Sequence, residues 1–138
     1  MQTMALSTES RMIAGVVLLT VVTIQVGGWF MTRIAQGAVP MTDFQKSFAR
    51  AGHGHAGVLV ILSLVGLLYV DATNLTGAVL WIARLGLPVA AILMSVGFFA
   101  SSAGRNATEP NRFVWVLWIG ALSLAAGVIS LGVGLLTA

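Results

Sequence analysis

The sequence predicts an all-α integral membrane protein, one domain over residues 1–138 folded as an antiparallel four-helix transmembrane bundle. Three observations lead there. Charged residues make up 8% of the chain and hydrophobic ones 58%. An ordinary soluble domain carries about 25% charged residues, so the polar groups here are too few to cover a water-facing surface. The apolar residues stand in long blocks rather than at helical or strand spacing, which makes a bilayer their natural solvent. Four such blocks are joined by short polar connections, and an even number of helices with short loops gives an up-down arrangement.

The first block, residues 12–32, carries no charge and as a helix is about 31 Å long at roughly 1.5 Å per residue. Arg11 ahead of it has the charge order of a secretory signal. The run is too long for one and no A-x-A-like cleavage site follows, so residues 1–10 read as a short tail before a retained helix. The second block covers residues 47–70, the third 77–103 and the fourth 113–137. The connection 33–46 carries Pro40 and Asp43, 71–76 is a tight polar turn, and 104–112 is polar with Pro110.

The net charge of +3 is distributed unevenly. Arg33, Lys46, Arg50, Arg105 and Arg112 border the first and third connections, while Arg11 and Arg84 belong to the other side. The positive-inside rule then makes loops 33–46 and 104–112 cytoplasmic and puts both termini outside. Basic residues placed beside apolar spans are orientation signals, and they exclude nucleic acid as a partner. The bilayer is the first partner. A chain this small also points to a homo-oligomer or to a subunit of a larger membrane complex. The fourth block offers a helix–helix seam of small residues at Ala126, Ser130, Gly134 and Ala138, with Ser123 and Gly127 on a neighbouring line.

Polar groups inside apolar spans are costly and therefore informative. The main cluster opens the second span and reads Phe44-Gln45-Lys46-Ser47-Phe48-Ala49-Arg50-Ala51-Gly52-His53-Gly54-His55-Ala56-Gly57. Both histidines of the chain lie here. Helical neighbours at i and i+2 point about 200° apart, so His53 and His55 do not chelate one ion together, and each needs a partner from another helix or chain. Three readings use ordinary imidazole chemistry: a hydrogen-bonded neutral ring near the interface, a metal or heme ligand, and a proton-relay or substrate contact.

The string from Phe48 to His55, followed by Val58-Leu59-Val60-Ile61, resembles the second transmembrane helix of heme–copper oxidase and nitric oxide reductase catalytic subunits. The resemblance covers residues 44–66. It implies heme b as cofactor, with His53 as an axial ligand and Arg50 as the arginine of the family's pattern. That family uses about twelve helices and further histidines for copper and an active-site heme. With four helices and two histidines, reduction of oxygen or nitric oxide by this chain alone is excluded. A heme at His53 takes its second ligand from the same histidine of a second copy, or from a methionine. Met94 in the third span lies at a similar depth; methionine in an apolar helix also serves as filler.

Asp71 ends the second span and Arg84 lies inside the third, and the short loop between them lets them pair and neutralise a charge that is costly in lipid. Pro88 removes the ladder bond to the Arg84 carbonyl and kinks the third helix. Gln25 is a lone amide in the first span, placed to hydrogen-bond across helices. Trp29, Trp81, Trp115 and Trp118 stand near span ends as interfacial anchors. No cysteine is present, so disulfides and thiolate sites are excluded. No nucleotide loop, nucleophile elbow or paired carboxylates occur, which leaves a conventional hydrolytic centre nothing to work with. The sequence therefore predicts a small polytopic membrane protein binding heme or a metal through histidines at the cytoplasmic end of the second helix. A structural or accessory subunit and a small oligomeric transporter are the alternatives.

Overall fold

The computed structural model describes residues 6–138. Four helices follow one another: α1 (Thr8–Ala35), α2 (Asp43–Val70), α3 (Gly77–Ser101) and α4 (Val114–Leu136). Among the described residues there is no strand, and every helix is long and apolar enough to cross a membrane.

The helices begin earlier than the apolar blocks. α1 starts at Thr8 rather than at residue 12, because the Ser7 side chain accepts a hydrogen bond from the Ser10 amide and Glu9 occupies the first turn. Residues 1–5 of the expected tail lie outside the described residues. α2 starts at Asp43 rather than at 47. There Thr42 and Gln45 form a reciprocal capping box, with both bonds at 3.1 Å. Charges end a membrane span without ending a helix, so the polar first turns were excluded by a reading based on hydropathy. α3 stops at Ser101, short of 103, and Asn111 Nδ2 donates to the carbonyls of Ala100 and Ala103 beyond its end.

α3 and α4 make the closest pair. A Cβ placed on Gly86 would lie 2.6 Å from Gly127 Cα, and one on Gly97 would lie 2.6 Å from the Leu117 amide nitrogen. Ser123 Oγ donates to the Gly86 carbonyl at 2.9 Å. The seam of α4 thus follows the buried Gly120, Gly127 and Gly134, two turns apart. This corrects the expected line in part: Ala126 and Ala138 are exposed and Ser130 is only half-buried, while Gly134 and the neighbouring line of Ser123 and Gly127 lie in the contact. At Gly86 and Gly127 the backbones meet where neither residue has a side chain, whereas Gly97 meets Leu117 and Gly120 meets Met94.

α3 also packs on α2, and α1 rests almost wholly on α2. Val17, Leu59, Val60, Ala91 and Met94 form the central apolar cluster. At one end of the molecule Gln45 donates to the carbonyls of Ser102 and Gly104, and Thr42 donates to that of Ala107. Connections 36–42 and 102–113 therefore lie together. The turn 71–76 and the first residues of α1 meet at another place, around Asp71.

Candidate functional site

α2 carries both histidines in its first half, and they face different neighbours. The ring of His53 lies on α1: a Cβ on Gly27 would stand 3.3 Å from its Nδ1, and one on Gly28 would stand 3.7 Å from its Nε2. The outer edge of the imidazole thus beds into a notch made by two adjacent glycines. His55 turns toward α3, with its ring centroid 4.9 Å from that of Phe98. Its Nδ1 lies 2.8 Å from the Ala51 carbonyl oxygen. A carbonyl can only accept, so Nδ1 is the donor of this bond and Nε2 is not engaged by it.

Of the surrounding glycines, Gly52 is tight against Phe98 and Phe99, whereas Gly54 and Gly57 have open space where a side chain would project. Arg50 is exposed. Met94 is buried with Leu59 and Val60 and touches Gly120 of α4. Leu59 is six positions beyond His53, roughly 9 Å along the axis, so Met94 serves the central packing there. Among the described residues no three His, Cys, Asp or Glu side chains gather to hold a metal.

These positions bear on heme. A porphyrin bound at either nitrogen of His53 needs the space that Gly27 and Gly28 occupy, so His53 does not fit that group while α1 is docked. His55 fits better. Its Nδ1–H bond to a carbonyl is the arrangement that orients a ligating imidazole and leaves Nε2 to bind.

The second polar group is a clasp. Asp71, just past the end of α2, accepts from the Ser7 amide at 2.8 Å, the Ser7 hydroxyl at 3.0 Å, the Ser10 hydroxyl at 3.1 Å and Arg84 Nη2 at 3.0 Å. Three helices meet on one carboxylate. Burial alone would raise the pKa of Asp71; the Ser7 amide, the Ser10 hydroxyl, Arg84 and the Ser7 hydroxyl outweigh it and hold the carboxyl below its ordinary value. The Arg84 guanidinium is buried, lies 5.1 Å from the centroid of the Trp81 ring, and leaves Nε without a partner among the described residues. The spacing of Asp71 and Arg84 in sequence pointed to each other. Ser7 and Ser10 were missed; the signal was the Ser-Thr-Glu-Ser run, which reads as a helix N-cap.

The third feature is a cleft of about 830 Å³ between α1 and α3, floored by α2. Thr20 and Ile24 line it from α1, Ala56 and Val60 from α2, and Pro88 and Ile92 from α3. Its hydroxyl protons are engaged locally: Thr20 donates to Val17, Thr23 to Thr20, Ser63 to Leu59 and Ser95 to Ala91, each on its own helix. The walls therefore present hydrocarbon, with Arg11 at one end. At the other end Ile24 and Ala56 stand about one turn from the Gly27–Gly28 notch and from His53.

Comparison with models of known protein families, with curated proteins and with solved structures finds no match.

Proposed function

We propose that the chain is an integral membrane protein, its four helices antiparallel across the bilayer, that binds a hydrocarbon-rich ligand drawn from the lipid phase. The observation that carries this reading is the cleft between α1 and α3. Its volume lies in the range of about 300–1,000 Å³ common for small-molecule sites. Each of its hydroxyls donates its proton within its own helix, so a guest that accepts hydrogen bonds would forfeit those to water and find no hydroxyl donor along the walls. Arg11 at the rim suits a ligand with an anionic or strongly polar head and an apolar tail.

The test is extraction and mass spectrometry of protein purified in mild detergent. Wild type is expected to retain one apolar species at close to stoichiometric amount. Ala56→Phe, which fills the floor, is expected to lower that amount by about tenfold or more, equivalent to about 1.4 kcal/mol. Leu122→Phe, on the exposed side of α4, is expected to leave it unchanged. Wild type without a retained species, or an Ala56→Phe variant that keeps it, would overturn the proposal.

A second reading, heme b or a metal held by one histidine, is favoured by the Nδ1 bond from His55 to Ala51. It predicts a Soret band in the same preparation that disappears in His55→Ala. A colourless, metal-free wild type rejects it.

A further inference from the structure

α1 has three faces, and two of them are occupied. Ser10, Val17 and Ile34 are its buried residues, on the side that meets α2 and the clasp. Thr20 and Ile24 look into the cleft. The third face holds Leu18 (55% exposed), Val22 (61%) and Trp29 (60%), together with Gln25, which is also exposed. These positions alternate by four, three and four residues. That is the spacing of a helix–helix seam, and it puts the amide of Gln25 at one of the two core positions of the repeat.

Gln25 makes this face more than an apolar surface. Arg11 and Arg33 bracket a segment without charges. Gln25 is eight positions from Arg33, roughly 12 Å along the axis, which lies well inside a hydrocarbon core about 30 Å thick. The sequence places Gln25 to hydrogen-bond across helices, and among the described residues no other helix of the chain receives it. The structure instead turns it outward, although a carboxamide exposed to hydrocarbon loses its hydrogen bonds to water. The hydroxyls of Thr20 and Thr23, by contrast, bond back to their own helix.

We infer that this face binds a second copy of the chain, α1 against α1, with Gln25 opposite Gln25 across a two-fold axis along the membrane normal. The occupant is a copy because the carboxamide both donates and accepts. The same group on a symmetric partner satisfies it, and the two-fold places like residues together. Leu18, Val22 and Trp29 of each copy flank the amide pair. The cleft lies on another side of α1, so both surfaces can be occupied at once. This inference rests on the membrane reading, which resistance of the membrane-bound chain to alkaline carbonate tests separately.

The absence of cysteines makes the experiment direct. Val22→Cys and, as a control on a distant exposed face, Leu122→Cys are cross-linked with a short bismaleimide in native membranes. The Val22→Cys chain is expected to yield a band at twice the monomer mass, and the Leu122→Cys chain none. In liposomes, energy transfer between labelled copies at increasing lipid dilution gives the dimer affinity. Gln25→Leu, at an exposed residue without a side-chain hydrogen bond among the described residues, is expected to weaken it by about three- to tenfold, the range set by one interhelical hydrogen bond. Gln25→Asn is expected to restore part of that loss. A chain monomeric at all dilutions, cross-linking only to a different protein, or a Gln25→Leu affinity equal to wild type would each overturn the inference.

Discussion

Asp71 accepts four hydrogen bonds from two other helices, and its removal has a directional consequence. Asp71→Asn leaves the buried Arg84 guanidinium without its countercharge and is expected to destabilise the fold by about 3 kcal/mol, as measured by unfolding in detergent. The pH dependence follows from the lowered pKa. The clasp stabilises fully above the ordinary carboxylate value of about 3.9 and is lost as pH falls through the lower value of the folded state. The stability gap between wild type and Asp71→Asn is therefore expected to be large at pH 7 and to shrink in acid below pH about 4. A gap that stays constant with pH would place the effect elsewhere. The pairing of Asp71 with Arg84 was legible in sequence because a charge beside an apolar span needs a partner. Ser7 and Ser10 were not, because a serine before a helix reads first as a cap and shows nothing of a distant acceptor.

The helices themselves were legible because hydropathy needs only a running sum along the chain. Their contact faces were legible only in part, at Ser123, Gly127 and Gly134. In α4 nearly every residue is apolar or small, so composition gives no contrast between a lipid-facing and a helix-facing side. The seam is fixed by where two backbones come together, at Gly86 and Gly127, and that depends on the sequence of a different helix. Gly127→Leu is expected to lower thermal stability by about 1–3 kcal/mol, through overpacking against Gly86 and Leu87. Gly132→Ala, with nothing within 4 Å of the added Cβ, is expected to be neutral or slightly stabilising through helix propensity. Equal stability of Gly127→Leu and wild type would show that α3 and α4 do not pack at this register. The histidine-bearing turn of α2 illustrates the same division. Opposed directions for His53 and His55 follow from helical geometry, whereas the Gly27–Gly28 notch that receives His53 belongs to α1 and was invisible from α2.

Connections 36–42 and 102–113 share one end of the molecule, joined through Gln45 and Thr42. Arg33, Lys46, Arg50, Arg105 and Arg112 accompany them. The proposed orientation puts this end in the cytoplasm. Ala107→Cys is then expected to resist a membrane-impermeant maleimide added to intact cells and to react after lysis, while Asn74→Cys reacts in both. The reverse pattern would invert the topology. The clasp at Asp71 also has a meaning in time. Its serines are at the start of the chain, while Asp71 follows Ser7 by 64 positions and Arg84 follows it by 77. At about 5–20 residues per second, the beginning of α1 waits about 4–15 s after its own synthesis before Arg84 exists. On the proposed membrane reading, α1 is during that interval an unfastened helix with its Gln25 face already complete. Two nascent copies on neighbouring ribosomes are therefore able to meet through α1 before either chain has finished folding.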